Sequence, residues 1–328
     1  MQPFTYAASP DLATAAAHAL RGAEFIAGGT DMLQLLQEGV RRPGEIADIN
    51  ALPISGVMEE QDGAVRIGAL TRLQDAADAA CLRQRFTVVA EALDATASPM
   101  VRHMATVGGN LLQRTRCLYF RDVAVPCNKR EPGSGCSAME GENRINAILG
   151  GSEHCIAVQP SDLAVALIAV DAELLVQHPS GADHWVAVEE FHCLPGNTPQ
   201  IETVLRPGDL IIAVRIPAHA AARRSHYVKV RDRASFAWAL ASCAVALRQD
   251  ADGMVVDVRL AAGGVATKPW RLVRAEQALL GRKLDREAVH EAAELAAEGA
   301  APRAENAYKV PLLKRTVERA LLELGGLA

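Results

Sequence analysis

The residues with the most chemistry to offer are four cysteines. Cys117, Cys127, Cys136 and Cys155 follow the pattern C-x9-C-x8-C-x18-C. The first three bound the segment CLYFRDVAVPCNKREPGSGC, which holds Pro126, Pro132, Gly133 and Gly135 and has no hydrophobic period, so it reads as a loop. A loop gives no packing reason for so many thiols. Tetrathiolate zinc sites usually use short Cys-Cys knuckles, and none is present. The usual ferredoxin spacings are absent as well. Four thiolates on one pliable segment still suit a cluster, with Gly and Pro as the bends. Lys129, Arg130, Arg114 and Arg116 stand near enough in sequence to offset thiolate charge. On spacing alone, iron–sulfur ligation, structural zinc and a metal-free loop, disulfides included, all stay open.

Two glycine pairs come next. FIAGGTDML passes from an apolar run through Gly28-Gly29-Thr30 into a second apolar run. Glycines between a strand and a helix let backbone amides approach an anion, and the helix start adds a favourable dipole. The alternative is a tight turn with no ligand, since this is not the GxGxxG dinucleotide pattern. TVGGNLL supplies a second pair, Gly108-Gly109, flanked by Thr106 and Asn110. Two such segments suit a ligand with a pyrophosphate and a second polar end, as FAD has; two unrelated turns are the other reading. Asp162 in QPSDLAVAL is either part of a helix cap with Ser161 or a carboxylate for a ribityl or ribose hydroxyl. Lys229 in YVKVRDR alternates with apolar residues, as a solvent-facing strand lysine does. Cys117 lies seven residues after Asn110, and Cys155 seven before Asp162. Each step spans at most about 25 Å, so a cofactor at Asn110 and Asp162 would have both ends of the cysteine segment beside it.

These residues must be held by regular elements. Ser9-Pro10-Asp11 predicts a helix start, with the Ala-rich helix stopping at Gly22. AEFIAGG, TDMLQLLQEG and EIADIN predict a β-α-β unit turning at Gly28-Gly29-Thr30. AVRIGAL predicts a strand leading into helix through about residue 95, and PSDLAVALIAV opens a buried helix. Strands are expected at Glu173–His178, His184–Phe191 and Asp209–Pro217. HYVKVRD, FAWALASCAVALRQ and GMVVDVRLAAGGV then read as antiparallel strands, with a hairpin turn at DADG. Helices are expected at Arg271–Leu280, Asp285–Ala297 and about Tyr308–Leu324.

The chain has 328 residues, 50% hydrophobic and 22% charged, enough for two domains and a sizeable core. Its net charge of −5, with no basic stripe, argues against nucleic acid as a partner. The N-terminal segment lacks a basic region followed by an apolar one, so no secretory signal is read there. The longest apolar stretch, 163–176, is broken by Asp171 and Glu173, so no membrane span is expected. Seven cysteines is an odd number for a disulfide framework; with no export signal, reduced thiols are expected, and Cys81, Cys193 and Cys243 read as small apolar fillers.

AGGTDML, TVGGNLL, SDLAVAL and KVRDRASFA occur in the order found in FAD-binding subunits of the molybdenum hydroxylases, the xanthine oxidase family, which the chain resembles over essentially its whole length. The segment RCLYFRDVAVPCNKREPGSGCSAMEG…SEHCIAVQPSD is similar to that of the FAD subunit of bacterial periplasmic aldehyde oxidoreductases, which carries an additional 4Fe-4S cluster. Most of the family passes from the second glycine segment to the Ser-Asp motif in about a dozen residues; here Asn110 to Ser161 takes 51 positions (161 − 110), as an inserted cluster loop would.

The resemblance implies an α+β fold. A vanillyl-alcohol-oxidase or PCMH-type FAD-binding domain in two lobes would fill 1–220, with lobes at about 1–55 and 56–220 and the cluster loop at 114–158. A C-terminal domain of small antiparallel sheet and helices, like that of CO dehydrogenase flavoproteins, would fill 221–328. Ala27, Gly28, Gly29, Thr30 and Asp31 would wrap the FAD pyrophosphate, with Ile26 and Met32 beside them in the cofactor site. Thr106, Gly108, Gly109 and Asn110 would form the second FAD loop, Asp162 would hold the ribityl or ribose side, and Lys229 would lie near the flavin. Cys117, Cys127, Cys136 and Cys155 would ligate the 4Fe-4S cluster. No general acid or base is implied. The expected partners are a large subunit with the molybdenum cofactor and a small subunit with 2Fe-2S clusters, in a heterotrimer that passes electrons to an external acceptor. The activity implied is oxidation of an aldehyde to a carboxylic acid. A 4-hydroxybenzoyl-CoA-reductase-like subunit with inward electron flow, and a scaffold with structural zinc, are the alternatives. The compartment implied is the periplasm, reached by export with a signal-bearing partner, or else the cytoplasm.

Overall fold

The computed structural model describes residues 2–327; Met1 and Ala328, the outer ends of the two expected domains, lie outside the described residues. Three sheets organise the chain. The first is a small parallel sheet of β1 (Thr5–Ala8), β2 (Glu24–Ile26) and β3 (Glu45–Asp48), in the order β1-β3-β2. The expected β-α-β unit is present as β2, the helix Met32–Gln37 and β3. β1 is not legible in sequence, because its mostly exposed TYAA carries no apolar alternation. The helix start also moves. Asp11, not Ser9, caps Leu12–Leu20, and its side chain accepts from the Thr14 amide at 2.7 Å.

The second sheet is antiparallel: β4 (Val57–Glu59), β5 (Val65–Gly68), β6 (Glu173–Gln177), β7 (Asp183–Ala187) and β8 (Leu210–Ile216), in the order β4-β5-β8-β6-β7. The strand expected over His184–Phe191 stops at Ala187 and becomes a short helix, Val188–Phe191. Val188 and Phe191 are both buried, and a spacing of three puts them on one helical face, which a strand would split.

The third sheet, β9 (Arg224–Val230), β10 (Ala241–Gln249), β11 (Val255–Gly263) and β12 (Trp270–Arg271), is antiparallel in the order β12-β11-β10-β9. β10 begins five residues later than FAWALASCAVALRQ suggests. Phe236 has left-handed backbone (φ 52°) and cannot extend the strand; its amide donates instead to Ala97 O at 2.9 Å.

All eight residues of the helix Asp162–Ala169 are buried. It lies in the main core with the helix Thr87–Ala95 and the small-residue face of the third sheet, Ala244, Ala246 and Ala261. The opposite face, including Cys243, Val245 and Leu247, packs on Val273–Leu279, Arg286–Leu295 and Lys309–Gly325. Alanines on one face and larger residues on the other follow from the period of two along a strand, and they let a fully apolar helix sit close. An ion network centred on the buried Arg223 locks the same junction. Arg223 reaches Asp171 at 2.8 Å and Asp257 at 2.7 Å, and Arg259 reaches the same two at 2.8 and 3.1 Å. Burial pushes the Asp171 carboxyl up, but Arg223 and Arg259 outweigh it and hold it below its usual range.

Candidate cofactor site

A cleft of about 740 Å3 has the first glycine turn as one wall, from Ile26 through Met32. Gly28 is required by close approach: a Cβ there would stand 1.8 Å from Met104 O, a backbone atom. Gly29 is required by its left-handed φ of 70°. The turn is braced from behind. Asn50 Nδ2 donates to Ala27 O at 2.9 Å, and Arg72 bridges Asn50 Oδ1 (3.1 Å) and Met104 O (2.6 Å). Among the described residues, the backbone amides of Gly28, Gly29, Thr30 and Asp31 meet no acceptor in the protein. Four successive free amides on a cleft wall leave donors available to an anionic group such as a phosphate.

The second glycine pair works differently. Val107–Leu111 is a short helix capped by Thr106, not an open loop. Its amides are already paired. Val107 donates to Thr71 O, Gly108 to Ala69 O, Gly109 to Thr106 Oγ1, and Asn110 to Thr106 O. What it offers the cleft is closeness rather than donors: a Cβ on Gly108 would press Ala69 Cβ at 3.1 Å. Asn110 Oδ1 accepts from Ser161 Oγ at 2.6 Å, and Ser161 Oγ in turn accepts from the Ala164 amide at 3.0 Å. The second glycine segment is thereby tied to the start of the buried helix.

Asp162 opens that helix, and Ser161 is its cap. The Asp162 carboxylate accepts from Lys229 Nζ and from Tyr227 OH, both at 2.7 Å. Lys229 also donates to Ala95 O at 3.0 Å and is buried, so it is not a solvent-facing lysine. It lines neither large cavity. Asp162 does line one: a second cavity of about 380 Å3 walled by Cys117, Asn146, Phe236 and Trp238 among others. This cavity and the cleft meet at Thr115, Val158 and Pro160. Tyr227, missed in the sequence, sits two residues before Lys229 and so shares its face of β9. Burial, with Asp162 beside it, pushes the Tyr227 hydroxyl far above its usual pKa.

Cys117, Cys127, Cys136 and Cys155 all line one small cavity of about 10 Å3. All four are free thiols, and all but Cys136 are buried. Burial pushes Cys117 and Cys136 up, and Cys155 to about 12. Among the described residues, no three His, Cys, Asp or Glu side chains come together closely enough to hold a single metal ion. One tetrahedral zinc would need its sulfurs about 3.8 Å apart. A cluster of several ions spreads its thiolates further. The four sulfurs are of the donor type a cluster takes, but the free space between them, about that of one water, is smaller than a cluster.

The cations expected to offset thiolate charge divide their work. Arg116 binds the Asp31 carboxylate together with Arg121 (2.9 Å), which was not among those expected; Asp31 also accepts from the Arg114 amide at 2.8 Å. Burial nonetheless pushes the Asp31 carboxyl above its usual range. Arg130 donates to Tyr119 O (2.7 Å), Phe120 O (3.0 Å) and Val125 O, bracing the segment's own turns. Lys129 and Arg114 both pair with Glu202.

His192 on the cleft wall was also missed; a single histidine after Phe191 carries no sequence signal. Its ring is buried, Nε2 lies 3.0 Å from Leu111 O and 3.1 Å from Gln159 Nε2, and Nδ1 has no partner among the described residues. Burial drops its pKa to about 4, so the ring is neutral near pH 7. A cleft of this volume, a row of free amides and an orphaned buried ring nitrogen fit a polar, phosphate-bearing cofactor such as FAD.

Comparison with known proteins agrees with that fit. The family described as "FAD binding domain in molybdopterin dehydrogenase" matches residues 2–219, and "CO dehydrogenase flavoprotein C-terminal domain" matches residues 226–324. The aldehyde oxidoreductase FAD-binding subunit PaoB of Escherichia coli (strain K12) is 43% identical over 325 residues, 98% of each chain. The carbon monoxide dehydrogenase medium chain of Hydrogenophaga pseudoflava is 26% identical over 91% of this chain and 88% of that one. A solved CO dehydrogenase from Hydrogenophaga pseudoflava, lacking the Mo-pyranopterin moiety of its cofactor, matches with a TM-score of 0.76 at 27% identity, covering 100% of this chain and 99% of that one.

Proposed function

This chain belongs to the FAD-binding family of the molybdopterin dehydrogenases, and from that premise we propose that it is the electron-transfer flavoprotein subunit of a molybdenum aldehyde oxidoreductase. In that reading a large partner carries the molybdenum cofactor and oxidises an aldehyde to the acid. A small partner carries 2Fe-2S clusters, and this chain delivers electrons to an external acceptor. Support for the aldehyde comes from the relative at 43% identity, whose name gives that activity. Bound FAD supplies the redox chemistry; the protein supplies position and charge.

The residues have assigned tasks. The amides of Gly28 to Asp31 bind the pyrophosphate. Gly108 keeps the second wall close. Asp162, fixed by Lys229 and Tyr227, orients the ribityl or ribose hydroxyls. Cys117, Cys127, Cys136 and Cys155 hold the 4Fe-4S cluster. The division into a cofactor domain and a C-terminal domain near residue 220 belongs to the same proposal. So does residence in the periplasm by export with a signal-bearing partner; cell fractionation with and without the partners tests that point.

The observation that carries the reading is the shared wall between the cleft and the thiol cavity, to which Lys129, Cys155 and Ala157 contribute. A wall of this kind is what two neighbouring redox groups need. The test is assembly. The three subunits together should reduce a dye with aromatic or aliphatic aldehydes, and this chain alone should not. Aldehyde turnover by the isolated chain would contradict the subunit role.

A further inference from the structure

Of the two adjacent cations in CNKR, only one is aimed at the cofactor region. Arg130 is engaged by three carbonyls of its own segment. Lys129 lines both the thiol cavity and the large cleft. Its side chain is 9% exposed, and Nζ donates to Pro199 O at 2.8 Å and to Glu202 Oε1 at 3.0 Å. Glu202 also pairs with Arg114, which lines the cleft. Two cations thus share one carboxylate, and the triad keeps a net positive charge in the wall. A charge buried there is screened far less than one at the surface.

We propose that Lys129 is a positioning residue whose fixed charge, held by Glu202, sets the reduction potentials of the groups on both sides of that wall. The inference rests on the reading of the cleft as the FAD site and of the thiol cavity as the cluster site. Adding an electron to either group adds negative charge. A cation in the common wall stabilises the reduced form of each and raises both potentials together. Glu202 opposes this in part and holds the ammonium in place. Lys129 acts through charge on the two groups and does not take part in bond making.

The test is a redox titration of the assembled holoenzyme, following the flavin by absorbance and the cluster by electron paramagnetic resonance. In Lys129→Gln both midpoint potentials should fall. Lys129→Arg should restore both. Glu202→Gln, which removes the opposing charge but keeps the lysine, should raise both. Unchanged potentials in Lys129→Gln with FAD and iron retained would overturn the proposal, as would a shift confined to the cluster. If Lys129→Gln loses its cluster, Glu202→Gln decides: no rise in either potential would overturn the proposal. Iron and sulfide in the wild-type protein are measured first. Their absence would refute the cluster reading itself, and a flavin potential that still fell in Lys129→Gln would then keep the half of the inference that concerns the cleft.

Discussion

A Cβ at Gly28 would lie 1.8 Å from a backbone oxygen that Arg72 holds in place, so Gly28→Ala must push the turn and its free amides out of place. The variant should purify with little or no flavin and keep its far-UV circular dichroism; a full flavin complement would remove those amides from the account. His192 gives a pH prediction. Its pKa is about 4 when folded, against 6.5 unperturbed. The unfolded chain therefore binds the proton first, and stability should fall as pH drops from 6.5 towards 4, by about 3 kcal/mol in full. Above pH 6.5 the residue contributes no slope. Urea midpoints at pH 4.5 and 7.5 should differ less in His192→Phe than in the wild type. The residues that touch the cleft were only partly legible. Gly28 and Gly29 stand out because glycine pairs between apolar runs mark special backbone. His192 and Glu202 come from an irregular segment far along the chain, and nothing in their neighbours announces them.

Among the elements, β9 and the helix Asp162–Ala169 carry the site between them. Removing the charge of Lys229 alone, as in Lys229→Met, strands Asp162 in the interior and should cost about 3–5 kcal/mol. Lys229→Met combined with Asp162→Asn should recover much of that loss. Chemical denaturation of the four proteins of the cycle gives the coupling, and simple additivity would mean that the pair is solvated after all. Periodic elements were legible: the β-α-β unit, the buried helix and the antiparallel strands follow from spacings of two and of three to four. Three features were not. β1 and β4 are three or four residues long and largely exposed, so no alternation marks them. Gly108-Gly109 reads as an open loop but lies in a capped helical turn, because Thr106 supplies the acceptor that offsets glycine's poor helix propensity. The Phe236 bend has no signal, since nothing in FAWAL excludes a strand.

Across the whole molecule, the third sheet is buried on both faces and fixed to the first half by Asp171, Arg223, Asp257 and Arg259. Arg223→Met leaves two carboxylates with one cation, and should loosen the contact between the halves. Faster proteolysis near residues 217–223 in the variant, with flavin released at lower urea, is the expected outcome; protection equal to the wild type would assign the junction to apolar packing alone. No helix among the described residues is long and apolar enough to cross a membrane. The order of motifs along the chain was legible because each is local. Their convergence was not: Lys129 meets Glu202 only once the chain has folded through the second sheet. The central claim is that the four thiols hold a cluster beside a flavin. It is tested most directly by iron, acid-labile sulfide and extracted flavin on the anaerobically purified chain. Near four irons and four sulfides per chain, together with FAD, is the predicted result. Zinc without sulfide, or metal-free thiols beside a full complement of FAD, would contradict it.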